Sequence, residues 1–160
     1  MRRSIMNWEA VGAVGEVFGA TVVVATMFYL AMQIRENKRS NQMLAATRIA
    51  ESADVWIGQI VRDAKLNDIY QTGMRDYGAL TLSDRNRFDL LIMQFLRAIE
   101  GAWTHEKLGF LDENQWYGYR ITTQRLIGSP GGNIAFNKQR MVFSPEYVAA
   151  IDLMISGTYE

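Results

Sequence analysis

The stretch from Ala10 to Ile34 reads AVGAVGEVFGATVVVATMFYLAMQI, and Glu16 is its only charge. Wound as an α-helix, these 25 residues would span roughly 37 Å, more than the ~30 Å hydrocarbon layer of a bilayer. The uninterrupted part, Val17 to Met32, covers about 24 Å and falls slightly short. Either the span recruits the glycine-containing turn before it, Glu16 included, or the bilayer adjusts. Trp8 and Tyr29 stand near the two ends, where a ring with an apolar body and a polar edge suits a membrane interface. A transmembrane helix over 10–34 is the leading expectation, after an N-terminal tail at 1–9. Two other readings compete. A cleaved signal peptide would use Arg2 and Arg3 as its basic end, but Glu9 and Glu16 interrupt it, and Tyr29 to Ala31 make a poor cleavage site. A buried core helix of a water-soluble protein is the other, since the uninterrupted run is near the lower limit for a span.

The flanking charges suggest an orientation. Arg2 and Arg3 precede the run, whereas Arg35, Lys38, Arg39 and Arg48 follow it. The larger cluster faces the cytoplasm by the positive-inside bias, which puts the N-terminus outside and residues 35–160 inside.

The rest of the chain reads as helix. Only two prolines occur, both late, and no window alternates apolar and polar residues as a half-buried strand does. The expected fold class is all-α: the membrane helix, a long stalk helix running on from it, and a small helical bundle. Arg35 to Gln42 is polar but holds neither Gly nor Pro, so a helix from Trp8 to Asp63 would be roughly 80 Å long. Within 35–63 the apolar positions Met43, Ala46, Ile49, Ala50, Ala53, Trp56, Ile57, Ile60 and Val61 keep helical spacing. Further helices are expected at about 65–74, 83–107, 112–127, 130–139 and 145–155. Thr81 or Ser83 starts the 83–107 helix, whose core face is Phe88, Leu91, Ile92, Phe95, Leu96, Ile99, Ala102 and Trp103. Ser129-Pro130 and Ser144-Pro145 each read as an N-cap followed by Pro at the first helical position. Two central antiparallel helices with shorter ones packed across them is the expected arrangement.

The order Gly15-Glu16, Gly19-Ala20, an apolar run, Tyr29 to Ala31, Gln33 to Arg35 and Asn37 resembles the opening of a widespread group of uncharacterised bacterial single-span membrane proteins. Leu80 to Asp84 and the Ser-Pro pairs are similar to the same group, so the resemblance covers most of the chain. It implies a location in the bacterial inner membrane and a helical cytoplasmic part. It implies no activity.

On the expected membrane helix, Glu9, Gly12, Glu16, Gly19, Val23, Met27, Leu30 and Ile34 share one narrow face at 100° per residue. Gly15 and Gly19 form a GxxxG pair beside it, flanked by Ala20. Small residues let two backbones approach closely, so Gly12, Gly15, Gly19 and Ala20 are the expected helix-packing positions. A carboxylate facing lipid at membrane depth costs on the order of 3 kcal/mol or more. Glu16 therefore sits at the headgroup level, near the positive end of the helix, or turns towards a partner helix or water. In a ring of such helices Glu9 and Glu16 would make an acidic mouth above an apolar constriction at Val23, Met27 and Leu30, the layout of a cation pore gated by dewetting.

Chemistry beyond this is sparse. The chain has no Cys and one His, which excludes disulfides, thiol nucleophiles and the familiar zinc sites. His105 reads as a cation at a helix C-terminus, Glu100 as an ion-pair partner of Arg97, and Asp112 and Glu113 as helix-start residues. Ser129 to Gly132 lacks the Lys of a phosphate loop. Arg120, Arg125, Lys138 and Arg140 mix with Trp116, Tyr117 and Tyr119, but the chain is neutral overall, so a solvated helix face is expected rather than a nucleic-acid site. No catalytic group, cofactor or metal is expected. The expected partners are membrane lipid, further copies of the chain and a protein partner. A homo-oligomeric membrane scaffold or interaction protein is the leading reading, a cation pore the second, and a membrane-anchored enzyme the third.

Overall fold

Side chains that satisfy orphan backbone donors mark where most of the helices begin. The computed structural model describes residues 8–157, with side chains from Gly12 onward apart from Val14. Asp63 accepts from the N–H groups of Lys65 and Leu66 and starts α2, Ala64–Arg75. Thr81 accepts from Asp84 N–H and starts α3, Leu82–Lys107. Asp112 accepts from Gln115 N–H at the head of α4, Glu113–Gly128, and Ser129 from Gly132 N–H at the head of α5, Pro130–Gln139. Pro145 opens α6, Pro145–Ser156, where the Ser144 side chain makes no capping bond. Before them runs α1, Trp8–Arg62. Among the described residues there are six α-helices and no strand.

The chain divides between Asn41 and Gln42 into two units. In the first, every side chain described from Gly15 to Asn41 is exposed, Phe18 and Phe28 among them at 72% and 70%.

The second unit holds the core. α3 supplies Phe88, Leu91, Ile92, Phe95, Leu96, Ile99, Ala102 and Trp103, a continuous helical stripe, to one cluster. The shortest of the described α-helices, α5, packs on α2, α3 and α4 together. Gly131 and Gly132 allow this by bringing the start of α5 close to neighbouring backbone, and Ala135 and Phe136 are fully buried there. The part of α1 in this unit buries Ala45, Ile49, Trp56 and Ile60. That face is narrower than the sequence stripe, for Met43, Ile57 and Val61 remain more than half exposed. Trp56 explains the spacing. Its Nε1–H donates to the Leu91 carbonyl at 2.8 Å, and its ring meets Phe95 and Tyr70, so a large side chain holds α1 against α3.

Candidate functional site

The helix-packing and pore positions expected from the sequence all fall on α1 in the first unit. Gly12, Gly15, Gly19, Ala20 and Glu16 are exposed, and a Cβ added at any of the three glycines would meet nothing within 4 Å. Val23, Met27 and Leu30 are 52%, 64% and 49% exposed. Glu9 belongs to α1 by its backbone, but its side chain lies outside the described residues. The polar side chains of this stretch are satisfied locally. Thr21 and Thr26 donate to the carbonyls of Val17 and Val22, each at 2.8 Å, and Gln33 donates to the Tyr29 hydroxyl.

A second cluster, in the second unit, has no counterpart in the sequence reading. Asp89 of α3 is a carboxylate on the apolar stripe, 8% exposed. Its Oδ2 accepts from the Tyr77 hydroxyl at 3.0 Å and from Lys138 Nζ, which also donates to the Tyr77 hydroxyl at 2.7 Å. Gln139 donates to the Asp89 carbonyl, while Asp89 Oδ1 and Gln139 Oε1 are buried without a protein partner. Hydrogen bonds from Lys138 to Asp89, and then to Tyr77, hold the ammonium above its ordinary pKa. Arg85 completes the junction by donating to the carbonyls of Tyr77 and Gly78. The cluster ties the turn after α2 to α3 and α5. Its hydrogen bonds clamp these elements together.

Two grooves flank α1 in the second unit. One is apolar, about 470 Å³, with Ala46, Ala50, Ala53 and Ile57 on one wall, Gly118 on the other, and Trp56, Phe95 and Leu111 among its lining. Tyr119 also lines it, and burial, followed by the charge of Asp54, raises the pKa of that phenol. The other groove, about 560 Å³, lies between α1 and α3 and mixes charged side chains with apolar surface.

The remaining sequence candidates resolve into structural roles. Arg97 meets Glu100 at 3.5 Å, and Glu100 Oε1 also accepts from Ser144 N–H at 2.8 Å. The His105 ring contacts Phe110 in the last turn of α3, with Nδ1 buried and unbonded. The turn at Ser129 to Gly132 is filled by packing against Gly73 and Leu126, and Ser129 Oγ takes the Gly132 N–H. Of the basic residues mixed with aromatics, Lys138 pairs with Asp89 and Arg140 with Asp152. Among the described residues no three of His, Cys, Asp and Glu group as metal ligands would.

No protein-family model, curated protein or solved structure matches this chain.

Proposed function

We propose that the protein is a single-span membrane scaffold, with α1 crossing the bilayer around residues 10–34 and the second unit presented to cytoplasmic partners. The observation that carries the reading is the complete exposure of the apolar window in α1. In water such a surface would far exceed the contiguous apolar patches that soluble monomers tolerate, whereas in hydrocarbon it needs no cover. The threonines support it, because hydroxyls bonded to carbonyls four residues earlier leave no donor unsatisfied in lipid. The glycines give the helix a face for a second copy, and self-association through it is part of the proposal.

Cysteine labelling tests the topology, because the natural chain has no thiol to interfere. Met141 is 98% exposed, and Met141→Cys provides a single reporter. The thiol should react with a membrane-impermeant maleimide only after bacterial cells are permeabilised, and the protein should stay with membranes in alkaline carbonate. Release into the carbonate supernatant would overturn the span, and labelling in intact cells would reverse the orientation.

A further inference from the structure

The second groove, between α1 and α3, is lined by the polar side chains Arg48, Glu51 and Ser52 from one helix and Gln94 and Arg97 from the other. Helical spacing puts it on the flank of α1 opposite the alanines of the apolar cleft. Each wall contributes one arginine, and Glu51 is the one carboxylate of the lining. Arg48 is available, and Arg97 is engaged on one side only. Arg48 makes no side-chain hydrogen bond or ion pair among the described residues; only its main-chain oxygen is used, by Ser52 Oγ. Arg97 reaches Glu100 only at 3.5 Å, since the other oxygen of Glu100 is committed to Ser144 N–H. The Arg97 guanidinium lies over the Phe143 ring, 5.5 Å from its centroid, a contact that restrains it without using its in-plane donors. Among the other cations of the unit, Lys107 is engaged with Glu146, Lys138 with Asp89, Arg140 with Asp152 and Arg85 with two carbonyls, whereas Arg62, Lys65, Arg87 and Arg125 make no side-chain bond among the described residues but do not line this groove.

A planar guanidinium matches a phosphate or carboxylate with two parallel hydrogen bonds, and two guanidiniums on facing walls suit a doubly charged group. Val55 and Ala98 give the groove an apolar surface against which a short carbon skeleton can lie. Glu51 and the Gln94 amide oxygen add acceptors for hydroxyl groups beside the anion. We propose that this groove binds the phosphate of a polyol phosphate, with Arg48 and Arg97 on the phosphate oxygens and Glu51 and Gln94 on the hydroxyls. Glycerol phosphate has this chemistry both as a free molecule and as the headgroup of phosphatidylglycerol.

The test uses the full chain in phosphatidylcholine nanodiscs, or in buffer without discs should the chain prove soluble, titrated calorimetrically with glycerol phosphate and with inorganic phosphate. Saturable binding of glycerol phosphate is expected, weakened about tenfold or more in Arg48→Gln through loss of a charge-assisted hydrogen bond. Arg48 is exposed, so this variant should fold. Glu51→Gln removes the opposing charge and should tighten inorganic phosphate severalfold. Absence of saturable binding to either compound, in discs with and without phosphatidylglycerol, would overturn the site, as would wild-type affinity in Arg48→Gln. Discs with phosphatidylglycerol distinguish the sources. Loss of glycerol phosphate binding in those discs, restored by salt-matched phosphatidylcholine, identifies the lipid headgroup as occupant, and undiminished binding identifies a free molecule.

Discussion

Gly131 of α5 lies against the carbonyl of Gly73 in α2, so close that a Cβ on Gly131 would fall 1.7 Å from the Gly73 oxygen. No rotamer change relieves a clash with backbone. Gly131→Ala should therefore cost more than about 3 kcal/mol or prevent folding of the second unit. Gly73→Ala would drive its methyl into the buried Phe88 ring, 2.4 Å away, with a loss of about 2–3 kcal/mol. Gly101 is the contrast: it sits within α3 with nothing within 4 Å, so Gly101→Ala should stabilise by about 0.5–1 kcal/mol. Urea midpoints of the three variants decide the matter, and equal effects at Gly131 and Gly101 would contradict the close packing.

The Asp89 clamp predicts an ordering of losses. Asp89→Ala strips the acceptor from the buried Tyr77 hydroxyl and the partner from Lys138, which should cost about 2–3 kcal/mol. Tyr77→Phe leaves the carboxylate with Lys138 and should cost about 1 kcal/mol. In the double variant the losses should sum to less than the two singles, since both remove the same bond. Full additivity in chemical denaturation would show that the groups do not act together.

Alkaline pH should weaken the second unit. Lys138 titrates above its ordinary 10.5 because of Asp89 and Tyr77, and Tyr147 titrates above its ordinary 10.0 because of burial and then the Glu100 charge. Both folded values are raised, so the protonated forms are favoured in the native state. Their contribution is whole below pH 10 and is lost as pH rises through the folded values. Denaturation midpoints should be level from pH 7 to 9 and fall beyond about pH 10, less steeply in Lys138→Met. A flat profile to pH 11 would contradict this.

Much of the fold can be read from local chemistry. Ser129-Pro130 and Asp112 start helices because the residue that bonds the orphan N–H groups is adjacent in sequence. Thr81, not Ser83, caps α3, since its hydroxyl meets the Asp84 N–H. The α3 core face follows from spacing alone. Asp89 escaped notice because its partners Tyr77 and Lys138 lie 12 and 49 positions away. A signal was available: Asp89 falls at the start of the i, i+3, i+7 series with Ile92 and Leu96, and a lone carboxylate on such a stripe needs a donor from elsewhere. The two grooves were equally hidden. They lie between helices, and no local pattern encodes a distance between helices.

Self-association makes a fourth prediction. Gly15 and Gly19 carry no neighbour in the single chain, so a bulky residue there should be harmless to the monomer. In mild detergent the natural chain should sediment as an oligomer, and Gly19→Ile should weaken that assembly about tenfold by holding the backbones apart. A natural chain that sediments as a monomer at all concentrations would remove the oligomer from the proposal.

The place of α5 in the packing has a kinetic meaning. A helix of 10 residues has little stability alone, so it forms by docking. The ribosome makes the Phe88-to-Trp103 face long before Ala135 and Phe136 can cover it. For that interval, several seconds at bacterial or slower speeds of about 5–20 residues per second, the nascent chain displays the part of that surface which α5 will cover. Chaperone capture, or early aggregation when synthesis outruns it, is the vulnerability built into this order of helices.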